Sequence, residues 1–217
     1  MISILLPIYN GIEYIDDSVN SIINQTYNNW ELLIGINGHN ENSDIYKKAK
    51  LYENKSNKIK VYDFYNIKSK VDTLHELLKV SKYDWISLID VDDIWLKNKL
   101  YKQSEYMKNY DVIGTYAHYF GETDGIPKLP LYDISNMNFI QSNPLINSSV
   151  LLKKELCFWD KFYEGIEDYE LWLRLRKQNK NFYNLPDILV RHRIHKDSQF
   201  NTKNHNEKMN ILIKKYI

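Results

Sequence analysis

The stretch W-I-S-L-I-D-V-D-D, residues 85–93, is an apolar run that ends in three acids. Residues 85–89 are mostly apolar and partly β-branched, which is typical of a buried strand. Side chains of an extended chain alternate between two faces, so we expect Asp90 and Asp92 on one face, about 7 Å apart, and Asp93 on the other. Two carboxylates on one face raise each other's pKa unless a cation lies between them. A divalent cation such as Mg²⁺ or Mn²⁺, which takes oxygen ligands, would remove this repulsion.

Two interpretations of the three acids remain open on this evidence. They could form a solvated turn after the strand, which is the usual meaning of an isolated D-x-D. The other interpretation is a metal site, because ligands of open α/β sheets bind outside the carboxyl ends of the strands, where these acids lie. The acid cluster by itself favours neither interpretation.

The composition is that of an ordinary globular protein and excludes several classes of function. The chain has 217 residues, of which 43% are hydrophobic and 26% charged, so it can bury one sizeable core. A net charge of +1 provides no field that would attract nucleic acid or an anionic membrane. The single cysteine, Cys157, excludes an internal disulfide and a cysteine zinc cluster and fits a reducing compartment.

Targeting signals are also missing from the sequence as printed. No basic leader precedes the first apolar run, and no apolar run approaches the roughly 18 residues that a membrane span needs. We therefore expect a cytoplasmic protein without a transmembrane segment, which could still bind a membrane surface as a peripheral protein.

The spacing of apolar residues predicts an α/β fold with a Rossmann-like, mainly parallel sheet flanked by helices. Buried strands are expected in the first half at 2–6, 30–36, 58–65 and 85–89. Residues at helical spacing, or helix-capping residues, separate each strand from the next. Four strands that alternate with three helices call for parallel pairing with right-handed crossovers.

The second half of the chain has a less regular pattern. Helices are expected at 97–108, 167–178 and 207–216, and strands at 112–119, 150–152 and 189–194. The segment 121–142 contains Gly, Pro and several Asn residues, so we predict a long loop that acts as a mobile lid or faces an acceptor. The terminal helix is expected to pack on the core, with a partner or a membrane surface as the alternative.

Several motifs, taken together and in order, resemble the family 2 glycosyltransferases, which have the nucleotide-diphospho-sugar-binding GT-A fold. The matching stretches are I-L-L-P-I-Y-N (4–10), S-V-N-S-I-I-N-Q-T-Y (18–27), D-V-D-D (90–93), N-P through S-S (143–149), E-D-Y-E-L-W-L-R (167–174) and R-I-H-K-D-S (193–198). The likeness spans roughly residues 2–200, which makes it far more specific than any single motif.

The resemblance implies one catalytic domain over residues 1–217. Residues 1–95 would bind the nucleotide sugar and the metal, 96–200 would carry the acceptor site and the catalytic base, and 201–217 would form a terminal helix. The implied reaction is an inverting transfer of a sugar from a nucleotide-diphospho-sugar, with UDP favoured, to a hydroxyl of a glycan, protein or lipid acceptor.

The resemblance also implies roles for individual residues. Mn²⁺ or Mg²⁺ would be held by Asp92, with Asp90 and His195 as further ligands. The donor nucleotide would contact Pro7, Tyr9, Asn37, Lys70, Asp90 and Val91, with Tyr9 stacking on the base. Two of these roles have plain alternatives, because His195 could be a surface histidine and Lys70 a solvated lysine. Asp93 would contact the metal ligands rather than the metal itself.

Asp168 is the candidate catalytic base. Inversion needs a carboxylate that takes the proton of the attacking hydroxyl, and the dipole of a helix that begins near Glu167 would keep Asp168 ionised. The alternative is that both acids only favour a helix N-terminus. Arg174 is expected to form a structural ion pair, and the register of Trp172 places it in the core.

The sequence departs from the family pattern at two places. Ile36-Asn37-Gly38-His39 stands where many members have D-D-G-S, and His75 stands where the family often has Asn. The Asn37 amide can still accept from uracil N3 and donate to a carbonyl, but GDP or another nucleotide is less excluded than usual. The departures motivate an alternative, a binding module of the same fold that has lost its chemistry.

A glycoside hydrolase that uses Glu167 and Asp168 is a further alternative. It is disfavoured, because adjacent residues of a helix point about 100° apart and cannot flank one bond.

Overall fold

The computed structural model describes residues 1–196 and 204–217. Its strands are β1 (Ile2–Ile8), β2 (Trp30–Asn37), β3 (Ile59–Phe64), β4 (Trp85–Leu88), β5 (Ile94–Trp95), β6 (Val112–Gly121), β7 (Tyr132–Asp133), β8 (Leu151–Lys153) and β9 (Phe182–Ile194). Its helices are α1 (Ile15–Ile23), α2 (Asp44–Lys50), α3 (Lys70–Val80), α4 (Lys99–Ser104), α5 (Glu167–Lys177) and α6 (Asn206–Tyr216).

Strands from both halves of the chain join one sheet. The order is β3-β2-β1-β4-β8-β6-β9-β5, and β7 pairs with β9 outside this path. The first four strands are parallel to one another, which places their carboxyl ends along one edge. In the second half β8 is antiparallel to β4 and β6, whereas β6 and β9 are parallel. The predicted α/β fold is confirmed.

Apolar side chains fill a core on each face of the sheet. Every residue of β1 and β2 is buried, which explains their nearly continuous apolar sequences. The α1 side chains Ile15, Val19 and Ile22 pack against one face. Side chains of α3 and α5 pack against the other, where Trp172 is 0% exposed and confirms its predicted place in the core. Each such burial contributes roughly 1.5–3 kcal/mol.

The helices α5 and α6 lie on this second core. Acids occupy the first turn of α5 and basic residues its last turn, an arrangement that complements the helix dipole. In α6, Leu212 is fully buried and Met209, Ile213 and Tyr216 pack on the same core. The prediction that the terminal helix packs on the core is confirmed.

Two segments differ from the expectation. The region 121–142 is irregular as predicted, but β7 ties it to β9, and Ile134 and Phe139 are 0% and 2% exposed. The strand β9 begins at Phe182 rather than at residue 189. Asn184, Pro186 and Asp187 interrupt its apolar pattern, and for this reason the pattern predicted only the second part of the strand.

Among the helices of the described residues, none is both long and apolar enough to cross a lipid bilayer.

Candidate functional site

The three acids lie in a turn rather than in an extended strand. The strand β4 ends at Leu88, and the backbone N–H of Asp93 donates to the carbonyl of Asp90 at 3.1 Å. The predicted alternation of side chains along 90–93 is therefore wrong, because the chain turns directly after the strand. We call residues 90–93 the acid loop. Each of its carboxylates has a partner of its own.

Asp90 is held by groups that lie far from it in sequence. Its carboxylate accepts from Lys70 Nζ at 2.8 Å and from Asn147 Nδ2 at 3.2 Å. Its backbone N–H donates to Ser148 Oγ at 2.9 Å. Burial alone would raise the pKa of Asp90, but the Lys70 ammonium outweighs it and lowers that pKa. Asp90 therefore remains ionised.

Asp92 faces the histidine that follows β9. Its Oδ2 lies 2.8 Å from Nε2 of His195, and both side chains are about one fifth exposed. Burial, followed by the charges of Asp93 and Asp90, raises the pKa of the Asp92 carboxyl. The structure therefore joins two of the predicted metal ligands, Asp92 and His195, and gives Asp90 different partners.

Asp93 is an internal counter-ion. It is 0% exposed, and its two oxygens lie 2.9–3.0 Å from His192 Nδ1. The backbone N–H of Arg193 donates to the same carboxylate at 2.8 Å. Burial alone would lower the pKa of His192, but the Asp93 carboxylate raises it to about 9. Sequence reasoning placed Asp93 behind the site but missed His192.

The end of α1 fixes the chain that follows the acid loop. Ser21 Oγ accepts from the backbone N–H of Trp95, at 3.1 Å. The Gln25 amide donates to the carbonyl of Leu96 at 2.9 Å and accepts from the N–H of Leu100 at 3.0 Å. These bonds give Ser21 and Gln25, both in the matching stretch 18–27, a physical role, because they hold the chain after the acid loop against α1.

A buried lysine lies beneath the acid loop. Lys99 is 0% exposed, and its Nζ lies 3.2 Å from Ser87 Oγ, 2.9 Å from Gln103 Oε1 and 3.9 Å from the centre of the Trp95 ring. Burial lowers the pKa of this amine well below its usual value. No feature of the sequence around Lys99 distinguishes it from an exposed lysine.

Asp168 lies in the first turn of α5, as predicted. Its Oδ2 accepts from Asn143 Nδ2 at 3.0 Å. Burial, followed by the charge of Glu167, raises the pKa of Asp168 to about 6, although the Asn143 bond opposes this shift. A carboxylate with this pKa is poised to take up a proton near neutral pH.

Lys70 connects the acid loop to α5. Its Nζ lies 2.8 Å from Asp90 and 3.6 Å from Glu167 Oε1, and its backbone N–H donates to Glu164 at 2.6 Å. Burial would lower the pKa of Lys70, but Asp90 and Glu167 raise it, so the ammonium remains charged. The structure thus brings Lys70, Asp90 and the start of the Asp168 helix together.

Tyr9 directly follows β1, the strand that pairs with β4 in the sheet. It is 51% exposed, and its ring stacks on His39 with centroids 5.5 Å apart. The ring covers Gly38, whose φ is +77° and where a Cβ would come within 2.2 Å of Tyr9, so only glycine fits. Asn37 is 1% exposed, and its Nδ2 has no hydrogen-bond partner within the described part of the chain.

Pro7 and Val91 are the remaining predicted donor contacts. Both are buried, and Val91 Cγ1 packs beneath Gly11. Their side chains therefore shape the loops around the acid loop instead of projecting into solvent.

The two departures from the family pattern have packing explanations. Ile36 is 0% exposed and belongs to the core beneath α1. The His75 ring stacks on Phe158 at 5.5 Å, and its Nε2 accepts from the N–H of Trp159 at 3.3 Å. Arg174 forms the predicted ion pair, with Glu170 at 3.2 Å. Neither departure removes Asp92 or Asp168 from the site.

Asp92 and His195 are the two predicted metal ligands that the structure brings into contact. Within residues 1–196 and 204–217, no group of three or more His, Cys, Asp or Glu side chains is arranged to hold an ion. A carboxylate and an imidazole nitrogen suit Mn²⁺ better than Mg²⁺, which prefers oxygen ligands. The pair fits two ligands of an ion whose other ligands come from elsewhere. Ser198, the last residue of the resemblance, lies outside the described residues.

Comparison with known sequences gives one family and several relatives. The model of Glycosyl transferase family 2 matches residues 3–152. The O-antigen biosynthesis glycosyltransferase WbnJ of Escherichia coli is 32% identical over 208 residues, which cover 91% of this chain and 81% of WbnJ. The E. coli UDP-Glc:alpha-D-GlcNAc-diphosphoundecaprenol beta-1,3-glucosyltransferase WfgD is 29% identical over 183 residues, with coverage of 82% and 71%.

Comparison with solved structures gives the same architecture. S. aureus TarS 1-349 in complex with UDP-GlcNAc matches with a TM-score of 0.79 and 16% identity, over 98% of this chain and 65% of that one. The mannosyltransferase PcManGT from Pyrobaculum calidifontis, in complex with GDP-Man and Mn²⁺, matches with a TM-score of 0.70 and 11% identity, over 91% and 58%. The chain thus spans less than two thirds of each of these two solved chains, 65% and 58%, and the likeness confirms the GT-A fold.

Proposed function

This chain belongs to glycosyl transferase family 2, and from that membership we propose that it is an inverting, metal-dependent glycosyltransferase. The donor is a nucleotide-diphospho-sugar, with UDP as the favoured carrier. The acceptor is a hydroxyl group of a glycan, a protein or a lipid.

One observation carries the proposal. Lys70 contacts Asp90 at 2.8 Å and Glu167 at 3.6 Å, so a single side chain joins the acid loop to the start of the Asp168 helix. A sugar bound between the acid loop and Asp168 would have the diphosphate-binding groups on one side and the proton acceptor on the other. Transfer of a glycosyl group requires both sides at once.

The acid loop is assigned to the diphosphate end of the donor. Asp92 and His195 would hold Mn²⁺ or Mg²⁺, which when bound supplies Lewis-acid stabilisation of the leaving diphosphate. Asp90 is assigned as a secondary metal ligand, because its oxygens already accept hydrogen bonds from Lys70 and Asn147. Lys70 is assigned to attract the phosphate oxygens with its ammonium group.

Asp168 is assigned as the base. The acceptor oxygen bonds to the anomeric carbon on the face opposite the diphosphate, and the bond from that carbon to the diphosphate oxygen breaks with its electron pair. The proton of the acceptor hydroxyl goes to the Asp168 carboxylate, and the configuration of the anomeric carbon inverts. The pKa of about 6 keeps Asp168 ionised at neutral pH and still basic enough for this step.

The nucleobase is assigned to the Tyr9 side of the site. The exposed Tyr9 ring offers a stacking surface, and the Asn37 amide matches the uracil edge. The preference for UDP draws support from TarS, solved with UDP-GlcNAc, and from WfgD, whose name gives UDP-Glc as donor. PcManGT, solved with GDP-Man and Mn²⁺, supports the metal and keeps GDP as the second choice.

A donor panel tests the proposal. UDP-sugars, GDP-sugars and other nucleotide sugars are each added with Mn²⁺, and thermal shift and donor hydrolysis are measured, with Asp92→Ala as the matched control. We expect at least one UDP-sugar to raise the unfolding temperature of the wild-type chain and not that of the variant. If no nucleotide sugar shifts the transition or is hydrolysed, the proposed function is wrong. A response to GDP-sugars alone would overturn only the choice of carrier.

A further inference from the structure

A short turn lies between the acid loop and α5 and is fixed from below. We call residues 143–149 the asparagine turn. Trp95 Nε1 donates to the carbonyl of Ser148 at 2.8 Å, and Gln103 Nε2 donates to that of Ser149 at 2.9 Å. Leu145 is 2% exposed and packs on Gly114, where an added Cβ would come within 2.5 Å of its side chain. The backbone of the turn therefore has little freedom to shift.

Two asparagines of this turn contact the two ends of the site. Asn143 Nδ2 donates to Asp168 Oδ2 at 3.0 Å, and Asn147 Nδ2 donates to Asp90 Oδ2 at 3.2 Å. One fixed turn thus holds a carboxylate of the proton-accepting side and a carboxylate of the donor side. Neither asparagine belongs to the acids, histidines or lysine on which the assignment of the site rests.

The orientation of the Asn143 amide follows from its own contacts. Its Oδ1 accepts from the backbone N–H of Leu145 at 3.3 Å, which turns Nδ2 towards Asp168. An ionised carboxylate can only accept hydrogen bonds, so the Asp168 contact requires the same orientation. Asn143 thus binds Oδ2, and within the described residues no side chain donates a hydrogen bond to Oδ1.

We propose that Asn143 is a positioning residue for Asp168, which binds one carboxylate oxygen so that the other meets the acceptor hydroxyl. The inference rests on the proposed function, because it needs Asp168 as the base. Asn147 has the matching role at Asp90 and acts on the donor side. The asparagine turn then fixes the relative position of the two carboxylates that transfer has to coordinate.

The proposal has an electrostatic consequence that can be measured. Besides Asn143 and the Tyr169 backbone N–H, the charged groups that act on Asp168 are Glu167 on its own helix and Lys70 on α3. These groups stay in place when Asn143 is replaced. Since a hydrogen bond to the charged form favours that form, loss of Asn143 should raise the pKa of Asp168 and shift the acid limb of the rate profile upward.

The test compares Asn143→Ala with Asn147→Ala. For each protein, kcat and the donor KM are measured across pH with the best donor from the panel, and UDP affinity and the unfolding temperature are measured alongside. For Asn143→Ala we expect kcat to fall about 10- to 100-fold, the acid limb to move to higher pH, and the donor KM to stay within about twofold. For Asn147→Ala we expect the donor KM to rise and the acid limb to stay.

A second variant keeps the test decisive if Asn143→Ala fails to fold. Asn143→Asp has the same shape, cannot donate when ionised and adds a negative charge, so its acid limb should move further upward than that of the alanine variant. A variant with an unmoved acid limb, whether kcat is normal or reduced, would overturn the positioning role.

The two possible failures can be told apart. If Asp168→Asn still transfers sugar, the base assignment fails and the inference falls with it. If Asp168→Asn is inactive while Asn143→Ala has a wild-type pH profile, the proposed function stands and only the role of Asn143 is wrong.

Discussion

The two acidic clusters of this protein differ in how their charges are balanced. In the acid loop every carboxylate has a nitrogen partner of its own, from Lys70, His195 or His192. At the start of α5, Glu167 and Asp168 lie side by side and share the more distant ammonium of Lys70, 3.6 Å from Glu167. Despite burial, the charge of Lys70 lowers the pKa of Asp90, whereas burial, followed by the charge of Glu167, raises that of Asp168 to about 6. Within the acid loop the pKa of Asp92 is also raised, by burial and the neighbouring acids, despite its contact with His195.

Under the proposed function, this difference separates donor binding from proton transfer. A carboxylate with a close cation keeps its charge over a wide pH range and can hold other charged groups in place. A carboxylate that is buried beside a second acid holds its charge only weakly and accepts a proton readily. We infer that the acid loop binds the donor and that Asp168, at the start of α5, accepts the proton.

The largest effect is expected from Asp168→Asn. The amide keeps the shape of the side chain but cannot take a proton, so transfer should fall by about 10²- to 10⁴-fold. UDP affinity should stay at the wild-type value, because the acid loop is unchanged. The rate is measured by product formation and the affinity by calorimetry. An active variant would place the base elsewhere.

Asp92→Ala should have the opposite signature. Removing the carboxylate that faces His195 should weaken metal-dependent UDP binding by about 100-fold or more. Replacing Asp44, an exposed aspartate on α2, by alanine serves as the matched control and should leave binding unchanged. If metal-dependent binding survives in Asp92→Ala, Asp90 or His195 carries the ion without it.

The pH dependence sharpens the comparison in the wild-type protein. The base works in its ionised form, so kcat should be constant above about pH 7 and should fall as the pH drops through the Asp168 pKa of about 6. One unit below that value the rate should be lower by about tenfold. Rate profiles at saturating donor and acceptor give the measurement. A profile that stays flat down to pH 4.5 contradicts the raised pKa.

Lys70→Met tests the residue that both clusters share. Loss of this partly buried cation should weaken UDP binding by about fivefold, in line with roughly 1 kcal/mol for such a pair. The acid limb of kcat should also move upward, since Lys70 lowers the pKa of Asp168. Lys79→Met, at an exposed pair on the same helix, is the control. Unchanged binding together with an unchanged acid limb would remove Lys70 from the site.

The sequence predicts where both acidic clusters lie better than it predicts which partners balance their charges. The strand before Asp90 and the helix that begins at Glu167 follow from apolar periodicity, and both are confirmed. The nitrogen partners of these carboxylates cannot be predicted in this way, because Lys70 lies 20 residues from Asp90 and His195 lies 103 residues from Asp92. Which nitrogen meets which carboxylate depends on the strand order, which a local pattern does not contain.

The same limit explains what was missed around the site. Asn143 and Asn147 lie in an irregular segment without apolar periodicity, so only the family resemblance, which includes residues 143–149, indicates that the segment is functional. Lys99 is a charged residue in the core, and a sequence pattern predicts charged residues to be exposed, since lysine is rarely buried. The alternation predicted for Asp90 and Asp92 failed because β4 is four residues long and the chain turns earlier than the apolar run suggests.

A calorimetric titration of UDP into the wild-type protein, with Mn²⁺ and again with EDTA, tests most directly whether the acid loop is the binding cluster. With Mn²⁺ we expect saturable binding at one site, and with EDTA we expect that binding to be lost, because Asp92 and His195 then face the diphosphate without a cation between them. Equal affinity in both titrations would contradict the assignment of the acid loop as a metal-dependent donor site.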